Sequence, residues 1–132
     1  MAYWLLKTEP EEYSYADLAR DRKAEWDGVT NPVAQRNMRA MQVGDECVIY
    51  HTGDQREAVG LAKVVRAGYP DPTDAAGKRV WVDLSPVREL ERKTSLATIK
   101  ADPLFAESAL VRQGRLSVVP LTDAQFEKLT GK

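Results

Sequence analysis

Residues 46–90 carry three strand-like runs in succession, with turn signals and no helix between them. "ECVIYHT" (46–52) is followed by the turn pair Gly53-Asp54, and "EAVGLAKVVRAGY" (57–69) is a long strand with a central glycine. "PDPTDAAGK" (70–78) is a loop by composition. "RVWVDLSPVREL" (79–90) alternates in register and holds Pro86, which suggests an edge position or a bulge. Connections this short join antiparallel neighbours, because a parallel crossover needs a dozen or more residues. Parallel βαβ alternation is therefore missing, and a doubly wound fold is disfavoured.

Helical and strand segments flank this block. "AYWLLKT" (2–8) reads as a buried first strand ending at Glu9-Pro10. Ser14 with Asp17 fits a capping box over Tyr15, Leu18 and Ala19, and "DRKAE" (21–25) reads as a charged loop. Asn31 looks like an N-cap with Pro32 at the first helical position, opening a short helix that Gly44 ends. Weak helical stretches near 95–100 and 103–110 precede a last strand, "RLSVVPL" (115–121), and Thr122 with Gln125 caps a terminal helix packing through Phe126 and Leu129. The fold class is α+β: a curved, mostly antiparallel sheet or small barrel flanked by short helices, in one domain over 1–132.

No apolar run approaches the roughly 20 residues of a membrane span. "MAYWLLKTEP" has a short apolar patch, acids close behind and no small-residue cleavage site, which argues against a secretory signal. With a single cysteine, Cys47, no internal disulfide forms, and cytoplasmic residence is expected, or nuclear in a eukaryote. The net charge of −1 argues against a protein that tracks many phosphates, and leaves room for a pocket taking one base with few phosphate contacts.

Chemistry-bearing residues are sparse. Cys47 and His51 would stand about 13 Å apart on one strand face, too far for a thiolate–imidazole pair. Cys47 reads as a small buried hydrophobe; His51, at a strand end, reads either as a structural hydrogen bonder or as a ligand contact. One His and one Cys do not make a zinc site, and no G-x-S-x-G, G-x-G-x-x-G or P-loop motif occurs, so neither metal nor cofactor is expected. Trp4 and Trp81 fit strand patterns and the core. Trp26, between Glu25 and Asp27-Gly28, either presents its face to a ligand base or plugs the sheet end. Asn37 lies beyond any capping position, so its amide is a candidate for reading a base edge.

Several segments together resemble the EVE domain of the PUA-like superfamily: "YWLLKTEP" (3–10), "WDGVTNPVAQRNMR" (26–39), "GDECVIYHTG" (44–53), "VGLAKVV" (59–65), "YPDPT" (69–73), "WVDL" (81–84) and "RLSVVPLT" (115–122). The resemblance covers about residues 2–130 and implies a PUA-like barrel with a pocket for one modified nucleobase of DNA or RNA. By matching position it implies pocket residues Lys7, Thr8, Glu9, Trp26, Gly28, Val29, Asn31, Tyr50, His51 and Thr52. Thr8 stands where many relatives carry Ser and keeps the hydroxyl. Thr30 and Pro32 stand where the family often has Arg and a bulkier residue, so phosphate contacts fall to Arg36, Arg39, Lys78 and Arg79.

The expected function is a non-enzymatic reader of a modified base, acting as a monomer whose output depends on an effector protein. Flipping out a base costs a few kcal/mol, recovered by stacking and edge hydrogen bonds in the pocket. The rival readings are an enzyme on a modified base or nucleotide, with Glu9, Asp27 or His51 as acid or base, and a small-molecule module on the same fold.

Overall fold

In the computed structural model, which describes residues 1–131, every strand joins one six-stranded sheet. The chain runs β1 (Tyr3–Thr8), α1 (Tyr15–Asp21), β2 (Ala24–Trp26), α2 (Pro32–Ala40), β3 (Glu46–His51), β4 (Glu57–Pro70) and β5 (Val80–Ser95). It continues through α3 (Leu96–Ala101), a 3-10 turn (Pro103–Phe105), α4 (Ala109–Arg112), β6 (Val118–Leu121) and α5 (Asp123–Thr130). The strand order is β2-β5-β4-β3-β1-β6. All neighbours pair antiparallel except β1 and β3, which run parallel from Tyr3↔Glu46 to Thr8↔His51. Among the described residues no helix is long and apolar enough to cross a membrane.

The α+β class and the antiparallel β3–β4–β5 block are as the sequence predicts, and the three caps form as expected. Ser14 and Thr122 each close a capping box, and Asn31 accepts from the N–H groups of Val33 and Ala34 ahead of Pro32. β3 is buried along almost its whole length, with strands β4 and β1 on its two sides.

Several expectations are corrected. Residues 24–26 are not part of a charged loop but a short edge strand, Ala24, Glu25 and Trp26 pairing with Leu84, Asp83 and Val82. Backbone pairing and burial of the indole outweigh the polar local composition. The α2 helix stops at Ala40, and Gly44 (φ 96°) instead makes the turn into β3. β5 runs on to Ser95, where its polar end pairs with Glu57 and Ala58 while Leu90 points inward. Pro86 lies beyond the reach of β2 and at a register shift against β4, satisfying both readings of that proline. β6 begins only at Val118, since Leu116 is held in a turn by Gln113. Trp4 is core, its indole N–H donating to Asp45, but Trp81 is only half-buried and meets Tyr69 edge-on at 6.4 Å.

Three helices shape the sheet. α1 lies across its centre, where the Tyr15 ring fills the space above Gly60; a Cβ there would come within 2.3 Å of the ring. α5 covers β1 through Phe126, stacked on Tyr3 at 4.0 Å. α2 bridges β5 and β6: the Gln35 amide donates to Val80 O at 3.2 Å and accepts from Val80 N at 2.9 Å, and Asn37 Nδ2 donates to Val118 O at 2.8 Å. The sheet curls because strands near both its ends are tied to one helix.

Candidate functional site

The curl leaves a groove of about 630 Å³ between the end of β1, the strand β2 and Ser117 just ahead of β6. Its volume falls in the range of small-ligand clefts, about 300–1,000 Å³.

Local structure explains each wall. After β1 the chain turns at Glu9, whose carbonyl accepts from the N–H groups of Glu12 and Tyr13, while the Thr8 hydroxyl donates to Tyr13 O at 2.6 Å. That turn folds Tyr13 back over the groove. Its hydroxyl donates to Asp21 at 2.9 Å; burial, then the bond to Asp21 and its charge, pushes the phenol up to about 12. The Tyr13 ring meets Trp26 edge-on, centroids 6.3 Å apart and planes at 82°, a favoured aromatic geometry that builds a two-sided corner. Trp26 itself is 8% exposed, so only a margin of the indole reaches the groove. Gly28, at φ 73°, reverses the chain out of β2 and brings Val29 to the rim.

Lys7 forms part of the wall opposite. Its ammonium donates to Gly114 O at 2.9 Å and lies 5.8 Å from the centre of the Tyr50 ring, and burial lowers its pKa. The remaining charge is largely negative: Glu9, Glu12, Asp21, Glu25 and Asp27 face Lys7 and Lys23. Lys23 lies 3.8 Å from Asp83. The Thr52 hydroxyl shares its one proton between Glu9 Oε2 at 3.3 Å and Thr8 O at 3.4 Å, and Gly53 leaves room for the Glu9 carboxylate, since a Cβ there would fall 2.8 Å from Oε1.

Six of the ten pocket residues expected from the sequence line this groove: Lys7, Thr8, Glu9, Trp26, Gly28 and Val29. The other four do not. Asn31 is exposed and spends its side-chain oxygen capping α2. Tyr50 is buried, 3% exposed, beneath the Lys7 ammonium. Thr52 stands behind Glu9. His51 lines a different cavity, of about 720 Å³, between α1 and the β4–β5 hairpin. There its Nε2 accepts from Tyr15 N at 3.0 Å and its Nδ1 pairs with Gln55 Oε1 at 2.8 Å, the structural reading of that residue. Asn37 is likewise spent on the sheet, at Val118.

Arg36, Arg39, Lys78 and Arg79 are exposed, and Arg39 reaches Lys78 O at 3.3 Å, joining the outer face of α2 to the β4–β5 loop. Cys47 is fully buried and its thiol pKa is raised by desolvation. Among the described residues no cluster of His, Cys, Asp and Glu has a metal-holding arrangement. Sequence reasoning misses Tyr13, Asp21, Lys23 and Ser117. Tyr13 gives one signal, an aromatic immediately before the Ser14 cap; the others give none.

A sequence model of the EVE domain matches residues 2–131. Thymocyte nuclear protein 1 of Mus musculus is 36% identical, the match covering 95% of this chain and 70% of that protein. Rpa0253 from Rhodopseudomonas palustris superposes with a TM-score of 0.93 at 39% identity, over 99% of this chain and 92% of that one. Human THYN1 protein in complex with 5-methylcytosine containing DNA superposes with a TM-score of 0.90 at 28% identity, over 99% and 96%.

Proposed function

The chain belongs to the EVE-domain family, and from that premise we propose that it is a non-enzymatic module that binds DNA by taking one modified base into the Trp26–Tyr13 groove. The observation that carries the reading is the aromatic corner set in an acid-rich cleft. An aromatic wall attracts the face of any base, and carboxylates repel phosphodiesters, so a base enters and a backbone does not. The half-buried Val29 offers an apolar contact for a methyl-type substituent.

Phosphates are left to the cations outside the groove, Arg36, Arg39, Lys78 and Arg79, on the helix that leads away from its rim and the loop beside it. Few such contacts suit a chain of net charge −1. The complex of the human relative with DNA containing 5-methylcytosine supports choosing DNA and a modified base.

Anisotropy of labelled oligonucleotides tests this. DNA with a single 5-methylcytosine should bind more tightly than the same DNA with cytosine. Tyr13→Leu should weaken the complex about tenfold, in line with the ~1–3 kcal/mol of a stacked base. Equal affinity of the wild type for the two DNAs would sink the reading.

A further inference from the structure

We infer that the groove selects bases bearing an exocyclic amino group over their oxo counterparts, and that Glu9 is the residue that makes the distinction. The inference rests on the base-in-groove reading above and adds to it the hydrogen-bond polarity of the base.

The polarity follows from what the lining groups already do. The hydroxyls of Thr8 and Tyr13 donate inward, to Tyr13 O and to Asp21. The Lys7 ammonium donates to Gly114 O, and Lys23 lies 3.8 Å from Asp83. Lys7 thus has one of its three N–H groups engaged, and the Thr8 and Tyr13 hydroxyls are turned fully toward the protein. The acceptors are not: among the described residues the carboxylates of Glu12, Glu25 and Asp27 make no hydrogen bond or ion pair. Those three are exposed, where water competes for them.

Glu9 differs. It is half-buried and seated against the Gly53 turn, with a contact to the Thr52 hydroxyl that Thr8 O shares, and a carboxylate so engaged keeps further lone pairs for a ligand. A fixed acceptor is worth more than a mobile solvated one, because no reorganisation accompanies binding. A carboxylate accepts from the amino group of cytosine. Thymine has the same ring and the same 5-methyl group as 5-methylcytosine but puts an oxygen where the amino group stands, and oxygen against carboxylate is repulsive. A reader of the methyl group alone treats these two bases alike; a reader through Glu9 does not.

The test compares single-stranded oligonucleotides of one sequence with 5-methylcytosine, cytosine, thymine or uracil at one position, which removes duplex-opening differences. Wild type should favour 5-methylcytosine over thymine by about tenfold or more, the size of one good edge contact. Glu9→Gln keeps the shape and carries both a donor and an acceptor, so it should bring that ratio close to one while its melting temperature stays near wild type. Thr52→Val, which frees the carboxylate, should reduce the ratio partway. Tighter binding of both methylated bases than of cytosine and uracil, with no preference between 5-methylcytosine and thymine, overturns the inference and leaves the base-reading proposal standing. An unchanged ratio in Glu9→Gln also overturns it. No preference for either methylated base removes both.

Discussion

The backbone N–H of Tyr15 donates to His51 Nε2 at 3.0 Å, fastening the first turn of α1 to the last residue of β3. The imidazole therefore accepts at Nε2 and donates from Nδ1 to Gln55, the neutral tautomer with both nitrogens engaged. His51→Ala should lower stability by about 1–3 kcal/mol, the cost of leaving a buried donor unpaired, as read by urea denaturation. DNA affinity of the folded variant should stay within a few-fold of wild type. Intact stability with weakened affinity would mean that the ring touches ligand instead.

Gly60 is where the sheet and α1 meet, and its requirement is steric. Gly60→Ala places a methyl group 2.3 Å from the Tyr15 ring, so the helix or β4 must shift. Overpacking of this kind costs about 1–3 kcal/mol or more, and a thermal melt should register it. Tyr15→Leu in the same chain should restore part of the stability by vacating the space, a coupling that a double-mutant cycle measures.

The cations on α2 and the β4–β5 loop should act on every DNA alike. Replacing Arg39 and Lys78 together by Ala should weaken modified and unmodified oligonucleotides by the same factor. It should also flatten the slope of log affinity against log salt by about one for each phosphate that is no longer neutralised. A selective weakening for the modified base would place these side chains at the base itself.

Asp74 organises the same loop. Its carboxylate accepts from the N–H groups of Lys78, Arg79 and Ala76, and the bond from Arg79 is the largest cause of its lowered pKa. The folded pKa lies below the unfolded value, so the stabilisation is complete above about pH 4 and is lost as pH falls through the folded pKa. The amide resonances of Lys78 and Arg79 should titrate together below the ordinary Asp range. In Asp74→Asn that transition should disappear.

Local and distant signals divide what the sequence makes legible. The Ser14, Asn31 and Thr122 caps are read correctly because each is settled within four residues. The α+β class is legible for a similar reason, since β3, β4 and β5 follow one another through short turns. β2 is not legible: three residues form a strand only because Val82–Leu84 lie beside them. Side-chain roles fail in the same way. Asn37 meets Val118, 81 residues away, so the amide offered to a base edge donates to the sheet, and of the two readings open for His51 the structural hydrogen bonder is the one seen, through Tyr15, 36 away. Trp26 closes the curled sheet, the structural one of its two readings, and a margin of its indole reaches the groove.

The parallel pairing of β1 with β3 has a practical consequence. Both strands deliver their last residues, Thr8 and His51, at one end of the sheet, where the groove and the second cavity lie. The turn that leads into β3 is therefore at the other end, roughly 17 Å away along the strand. Val43 in that turn is 65% exposed. A fluorophore or a surface tether attached there, as Val43→Cys with the native thiol at Cys47 buried, gives a handle on the protein that leaves the groove end facing solution.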